Sequence, residues 1–293
     1  MSIRNLIYAQ GDFIDGDGPA IRPSNAMFTH GDGTYEDILA FGTQARHLDA
    51  HLALLHESLK VLGIEPPLLL FDQENVGKLI TRLLNRNRIF DSAQVRITVS
   101  RNAAAHQPGE MVVQTRPLGY KRFPFLDEGM RLDILEAPCK PIDMLARIRG
   151  SHRLLEVLAR QHAQRQDADT CIIMNTEQRV AETPMGSIFI VRGSKLYTPS
   201  LGEGCCPNPM RDLVCRVAPA MGFDVDNQVG LRIGAIQNAR EVFVASPLSG
   251  ITWVKAFRNH RYYNEVSRIL HQEVSRLTFD TYPPPPKVGA CGG

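Results

Sequence analysis

The sequence predicts an α/β protein, of the α+β kind, in which helices cover meandering sheets. Apolar residues recur at helical spacing in residues 49–62, 73–87 and 151–166. Residues 93–100 alternate between apolar and polar side chains, which is the two-residue period of a half-buried strand. Short apolar segments with glycine-containing turns follow residue 166 and predict a sheet packed under the preceding helix.

The amino-terminal elements are predicted in the order of a strand from residue 6, a turn at 16–18, helices at 49–62 and 73–87, and a strand at 93–100. Leucines at helical spacing line one face of the first helix, and Gly63 and Pro66 stop it. The second helix carries a similar apolar stripe, so both helices are expected to pack on one core.

The carboxy-terminal elements are predicted as strands at 111–115, 130–136, 241–245 and 251–256, and helices at 151–166, 211–221 and 263–277. In the 151–166 helix the expected buried face holds Leu154, Leu155, Leu158 and Ala159.

The length of 293 residues is enough for one large or two moderate domains. A proline-flanked segment at 137–141 is typical of a linker, and the boundary is placed near residue 120. The predicted organisation is an amino-terminal domain at 1–120, a carboxy-terminal domain at 121–278 and a proline- and glycine-rich tail at 279–293, which is expected to be disordered.

The composition is that of an ordinary globular protein, with 43% apolar and 22% charged residues and a net charge of +2. This charge gives no reason to expect nucleic acid or an anionic membrane as a partner. The amino terminus has no apolar core of a secretory signal and no segment has the apolar length of a membrane helix, so a cytoplasmic location is expected. The six cysteines have no C-x-x-C spacing, so we expect neither a metal site nor a disulfide framework.

Several ordered segments resemble the class IV aminotransferases, the fold-type IV pyridoxal-phosphate (PLP) enzymes that include branched-chain aminotransferases, D-amino-acid transaminases and aminodeoxychorismate lyase. The segments are F-T-H-G-D-G-T-Y-E-D at 28–37, L-D-A-H-L-A-L-L at 48–55, V-R-I-T-V-S-R at 95–101, V-A-E at 180–182, S-I-F-I-V at 187–191 and L-Y-T-P at 196–199. The resemblance implies a smaller amino-terminal α/β domain, a larger carboxy-terminal domain with a β-barrel-like core, and a homodimer whose pocket a partner loop completes.

The resemblance places Arg149 where the family has its Schiff-base lysine. A guanidinium stays protonated and does not form the reversible aldimine that a lysine amine forms. An alternative is that the lysine is Lys140, although this residue precedes the helix by about ten positions and falls in the expected linker.

The family's phosphate-binding positions are also altered. Leu54 stands in place of an arginine, and Asn208 and Pro209 stand where the family has two backbone donors at a helix start. Ser246 and Pro247 stand at a third, small-residue anchor. Because proline has no N–H to donate, these changes predict that the chain does not bind PLP and has no cofactor.

The resemblance implies a pocket around His30, Tyr35, Arg96, Arg149, His152, Glu182, Cys205, Cys206 and Trp253. Within it we assign catalytic roles to Arg149, His30, Tyr35 and Glu182, and substrate binding to Arg96, His152, Cys205, Cys206 and Trp253. Arg149 is expected to be a fixed cation for a carboxylate or phosphate, and a histidine to be the acid or base. A purely structural Arg149–Glu182 ion pair is the alternative.

Cys205 and Cys206 lie before a helix start, an environment that can activate a thiol, although adjacent buried thiols more often only pack. The leading functional hypothesis is a PLP-independent enzyme, of lyase, isomerase or transferase type, that acts on a small anionic metabolite such as an amino acid, a keto acid or a chorismate-like compound. The alternatives are a conventional PLP-dependent aminotransferase or lyase, and a non-catalytic binding or scaffold homologue.

Overall fold

The computed structural model describes residues 4–18, 21–104 and 106–280. The expected tail therefore lies almost wholly outside the described residues. Within the described part of the chain, no helix combines the length and the apolar composition needed to cross a membrane.

The first sheet holds six strands of the described chain, in the spatial order β2-β1-β6-β5-β3-β4 with antiparallel neighbours throughout: β1 Leu6–Ala9, β2 Asp12–Asp15, β3 Gly33–Phe41, β4 Gln44–Ala45, β5 Ala93–Ser100 and β6 Glu110–Pro117. Its helices are α1 Ala26–His30, α2 Leu48–Leu62 and α3 Gln73–Asn87. The stripes of α2 and α3 pack on β3 and β5, so that Leu55, Ile80 and Val95 are buried together. The two long helices and β5 are confirmed.

The second sheet curls into a half-barrel of nine strands within the described residues: β7 Met130–Lys140, β8 Thr170–Asn175, β9 Val180–Glu182, β10 Ser187–Arg192, β11 Lys195–Pro199, β12 Asp224–Val229, β13 Glu241–Ser246, β14 Gly250–Phe257 and β15 His260–Arg261. Its helices are α4 Leu154–Arg165, α5 Pro209–Val217, α6 Ile233–Gln237 and α7 Glu265–Phe279. Helices α5 and α7 cover one core of this sheet, which includes Phe189, Phe243 and Leu270.

Two sequence expectations about this region are wrong. The segment 137–141 is not a free linker, because β7 extends to Lys140 and that residue is buried. Helix α4 begins at Leu154 and not at residue 151. Of its expected buried face, Ala159 is buried and Leu155 packs partly buried against the same core, whereas Leu154 is 69% and Leu158 36% exposed.

The connection between the two sheets runs from the end of β6 to the start of β7, at residues 118–129. The boundary expected near residue 120 falls inside this connection and stays a prediction.

Candidate functional site

The segment that follows β7 crosses from the second sheet to the first and fixes Arg149 between them. The backbone N–H of Tyr35 and the hydroxyl of Thr34 both donate to the carbonyl oxygen of Arg149, at 3.1 and 3.0 Å. The N–H of Ser151 donates to the carbonyl of Gly33 at 3.0 Å. This edge pairing with β3 explains why α4 starts three residues later than its apolar pattern predicts, and it holds the Arg149 backbone in one place.

A cavity of about 30 Å³ lies beside Arg149. Its lining comes from the end of β9, the turn after it and the start of α5, and comprises Arg149, Glu156, Glu182, Thr183, Pro184, Met185, Gly186, Cys206 and Asn208. The structure thus brings Arg149, Glu182 and Cys206 together, as the resemblance implied. A volume of this size holds water molecules or a group of a few atoms.

The guanidinium of Arg149 pairs with Glu36, not with Glu182. Its Nε lies 3.4 Å from Glu36 Oε1, and the Glu36 side chain is only 3% exposed. Glu36 is held in turn by His51, whose Nδ1 lies 2.7 Å from Glu36 Oε2. Burial would lower the pKa of Arg149, but the carboxylate of Glu36 raises it above its usual range. Arg149 is therefore a permanent cation at the cavity wall.

Glu182 has a different cation as its partner. Lys140 Nζ lies 2.5 Å from Glu182 Oε1, and the backbone N–H of Cys206 donates to Glu182 Oε2 at 2.8 Å. Both carboxylate oxygens are thus bonded within the chain. Burial would lower the pKa of Lys140, but Glu182 more than offsets that effect and holds the pKa above its usual range. The alternative of a structural Arg149–Glu182 ion pair is wrong, because Lys140 is the cation that pairs with Glu182.

Tyr35 lies between two arginines. The guanidinium carbons of Arg96 and Arg153 are 4.6 and 4.7 Å from the centre of its ring. Arg96 faces Asp37 across the β3–β5 register and donates to both carboxylate oxygens, at 2.7 and 2.6 Å. Burial and the charge of Glu156 raise the pKa of Tyr35 to about 12, so its hydroxyl stays protonated at neutral pH. Neither Tyr35 nor Arg96 lines the cavity.

The two adjacent thiols point in different directions. Cys205 is buried and donates to the carbonyl of Ala181 at 3.0 Å, whereas Cys206 lines the cavity. Burial, then the charge of Glu182, raises the pKa of Cys205 to about 12 and that of Cys206 to about 11. Both are thiols at neutral pH, so the structure does not support a thiolate nucleophile here. Cys205 in particular is a packing residue.

Three of the expected pocket residues lie elsewhere. His30 is exposed at the end of α1, with its Nδ1 2.6 Å from the hydroxyl of Thr29. His152 is also exposed, and its ring lies over Gly150. Trp253 packs in the core under α5 and α7 and donates from Nε1 to the carbonyl of Leu126 at 2.6 Å. None of the three lines this cavity, and their assignment to a functional site stays a prediction.

The start of α5 is closed by its own side chains. Asn208 caps the helix by accepting from the N–H of Arg211 at 2.9 Å, and Pro209 is the first helical residue. Proline supplies no N–H and the Arg211 N–H is already bonded, so few donors remain at this helix start.

The other two altered anchor positions offer no cation. Leu54 lies in α2, and its carbonyl accepts from Ser58 at 2.9 Å. Ser246 ends β13, and its hydroxyl accepts from the N–H of Leu248 at 3.3 Å, one residue beyond Pro247. These side chains serve local turns and the helix.

Sequence reasoning gives too little weight to four residues. Lys140 enters it only as an alternative Schiff-base lysine, and Glu36, His51 and Glu156 are not assigned to the site. Some signals are present: Glu36 and Asp37 are adjacent carboxylates in one strand, and Lys140 ends another. In the described part of the chain, no cluster of three or more histidine, cysteine or acidic side chains has metal-binding geometry.

The comparison with known sequences identifies the family. Residues 33–257 match the family described as Amino-transferase class IV. The chain belongs to the class IV aminotransferase family. It is 26% identical over 255 residues to a putative branched-chain-amino-acid aminotransferase of Methanocaldococcus jannaschii, an alignment that covers 84% of this chain and 85% of the relative. It is 23% identical over 231 residues to the aminodeoxychorismate lyase of Vibrio harveyi, with 76% and 82% covered.

Solved structures of aminotransferases share the fold. A hypothetical aminotransferase from Mycobacterium tuberculosis, in a form bound to α-ketoglutarate and PMP, superposes with a TM-score of 0.82 at 18% identity, over 94% of this chain and 99% of that chain. The branched-chain aminotransferase of Thermoproteus uzoniensis gives a TM-score of 0.83 over 94% of each chain at 18% identity. The fold-type IV architecture expected from the sequence is confirmed.

Proposed function

We propose that this class IV aminotransferase homologue works without PLP and binds a small anionic metabolite through Arg149. The observation that carries the proposal is the state of the Arg149 guanidinium. It is a partly buried cation at a cavity wall, with its side chain 20% exposed. Its Nε faces Glu36 at 3.4 Å without a hydrogen bond, so its terminal nitrogens are the groups that an anion in the cavity would reach. A buried cation with incomplete hydrogen bonding is stabilised by an anion that accepts from it.

The residues of the site fit PLP poorly, which supports the first half of the proposal. Arg149 is proposed to stand at the position of the family's Schiff-base lysine. Lys140, the nearest amine, has its nitrogen on Glu182, the carboxylate that the family comparison assigns to the cofactor ring.

The phosphate-binding positions also support the proposal that the protein works without PLP. Leu54 brings no charge, Pro209 brings no N–H, and Asn208 occupies the N–H of Arg211. A phosphate at this helix start would lose the charge-assisted hydrogen bonds that hold such groups.

The cavity lining supports a ligand of limited size. Arg149 is its cation, whereas Glu156 and Glu182 already have Arg153 and Lys140 as partners. The relatives are described as a branched-chain-amino-acid aminotransferase and an aminodeoxychorismate lyase, so the ligand is proposed to be an amino-acid-, keto-acid- or chorismate-like anion. Lyase, isomerase or transferase chemistry is proposed rather than transamination.

One observation favours a non-catalytic binding protein instead. Both candidate thiols have raised pKa values, and the two candidate histidines are exposed away from the cavity. The lining therefore brings Arg149 and two paired carboxylates to a ligand, which is a binding set without a free acid or base.

Another observation favours a conventional PLP enzyme. Lys140 is buried beside Glu182, where a lysine that left its ion pair would enter the pocket. In that case Lys140 would hold the cofactor and Glu182 would contact its ring nitrogen, and the group would supply carbanion stabilisation.

The purified protein distinguishes these functions. We expect no absorbance band in the visible and no lysine adduct after borohydride reduction, together with stabilisation by small carboxylates in a thermal-shift screen. A visible band that borohydride converts into a pyridoxyl-lysine adduct would overturn the proposal, and mass spectrometry would show whether Lys140 carries it. Binding without turnover of any bound metabolite would favour the non-catalytic function.

A homodimer is part of the proposal. Helix α4 exposes Leu154, Val157 and Leu158 at 69%, 45% and 36%, next to Glu156 of the cavity lining. An apolar helix face beside the site is the kind of surface that a second subunit covers.

A further inference from the structure

Lys140 is a buried cation that takes no part in the proposed binding of an anion at Arg149. It ends β7, and its side chain is 10% exposed. Its ammonium lies 2.5 Å from Glu182 Oε1 and 3.4 Å from the sulfur of Cys206. The Cys206 thiol in turn donates to the carbonyl oxygen of Ile148 at 3.4 Å, so the acceptors at the ammonium are Glu182 and Cys206.

Glu182 needs a cation at that place. Its side chain is 11% exposed, and the only other donor to its carboxylate among the described residues is the N–H of Cys206. A carboxylate buried to this degree without a cation is strongly destabilising. Arg149 does not serve, because its Nε is directed at Glu36.

The position of Lys140 is imposed by the sheet and not by the cavity. Lys140 pairs with Asn175 across the parallel β7–β8 ladder, and the N–H of Thr176 donates to the Lys140 carbonyl at 3.0 Å. The backbone is thus fixed against the end of β8, and the side chain spans the distance from the sheet to Glu182. Strand β7 therefore holds the ammonium next to the carboxylate.

We propose that Lys140 is a tethered counter-ion that fills a cation subsite on Glu182, and that removal of its side chain opens this subsite to a small primary alkylammonium ion. The inference rests on the proposed function, in which no cofactor ring contacts Glu182. The subsite consists of the two carboxylate oxygens and the sulfur of Cys206. It adjoins the Arg149 cavity, because Glu182 and Cys206 line both.

The subsite is selective for an ammonium on a short unbranched chain. Truncation at Cβ removes three carbons of the lysine side chain with its nitrogen, which n-propylammonium reproduces closely. A neutral alcohol of the same length fills the space without the charge, and a quaternary ammonium cannot donate to Glu182.

The test uses Lys140→Ala in the full-length protein and measures its melting temperature with n-propylammonium chloride at constant ionic strength. We expect a Tm about 10 °C below that of the wild type, as for a broken buried ion pair in a chain of this size. n-Propylammonium should restore several degrees of this loss to Lys140→Ala, with saturation, and leave the wild type unchanged. n-Propanol and tetramethylammonium serve as the matched controls and should not restore it.

Lys140→Met fills the volume without the charge and should lose stability without rescue by the amine. Lys140→Met combined with Glu182→Gln should melt above Lys140→Met alone, because neither charge is then left unpaired. This comparison decides the matter if Lys140→Ala does not fold.

The inference would be overturned if n-propylammonium did not raise the melting temperature of a folded Lys140→Ala. It would also be overturned if the double variant were no more stable than Lys140→Met. Failure of the proposed function has a different signature. A pyridoxyl adduct on Lys140 would overturn both, whereas an adduct elsewhere with intact amine rescue would overturn only the proposed function.

Discussion

Replacement of Arg149 by methionine should abolish most of the anion affinity of the site. The guanidinium is a permanent cation at the cavity wall, and its terminal nitrogens would give a bound carboxylate at least one charge-assisted hydrogen bond. Each such bond contributes about 1.5–3 kcal/mol. We therefore expect Arg149→Met to weaken binding by about 2 kcal/mol or more, which is roughly thirtyfold.

Calorimetric titration checks this expectation. The ligand is whichever member of a panel of small carboxylates and inorganic phosphate stabilises the wild type most in a thermal-shift screen. Arg147→Met is the matched control, because Arg147 is exposed two residues away in the same segment. Arg149→Lys should also bind poorly, since one ammonium does not reproduce a guanidinium fork. Equal affinities in the wild type, Arg149→Met and Arg149→Lys would return Arg149 to a structural role and favour the scaffold function.

Four further outcomes are expected. Glu36→Gln should lower the free energy of unfolding by about 3–5 kcal/mol, because Arg149 loses its internal carboxylate. For the same reason, the bound anion should stabilise this variant more than the wild type. Unchanged values in both measurements would refute the Arg149–Glu36 pairing. Between pH 9 and 11 the wild type should lose stability faster than Cys206→Ala, by up to about 1.4 kcal/mol per pH unit, with Cys139→Ala as control. The sign follows because burial raises the pKa of Cys206 to about 11, so the folded state keeps a proton that the unfolded thiol releases near pH 9. Light scattering at micromolar concentration should give the mass of a dimer, and a monomer would refute that part of the proposal. Arg149→Lys alone should not create tight PLP binding in a spectroscopic titration, and a bleachable visible band at equimolar PLP would contradict this.

The elements that depend on local pattern are predictable from the sequence. Helices α2 and α3 carry leucine stripes that pack on one sheet, and β5 alternates with period two. For helix α4 the pattern misplaces the start and part of the buried face. An edge contact between Ser151 and Gly33 holds its first expected residues out of the helix. Tertiary contacts of this kind leave no local signal.

The candidate site is predictable only in outline. The family comparison brings Arg149 and Glu182 to one cavity, but it does not give their partners. Glu182 is 42 residues from Lys140 along the chain, and Arg149 is more than a hundred residues from Glu36. Such pairings depend on how the two sheets meet, and no spacing in the sequence encodes them. The prolines that flank Lys140 argue against a strand there, although a proline can stand near the end of a strand without ending it.

The four buried charges form two pairs, and this division constrains how the site can change. Arg149 is compensated by Glu36, and Lys140 by Glu182. Loss of one member leaves a buried charge uncompensated, which costs far more than the pair contributes. A lysine restored at position 149 would still find Glu182 engaged by Lys140, and a ring that needed Glu182 would first have to displace a cation fixed to the sheet. In the proposed function, Arg149 and Lys140 are therefore coupled through charge although the side chains contact different carboxylates. The ligand consistent with both pairs is one that uses Arg149 and leaves Glu182 alone, which is a small anion.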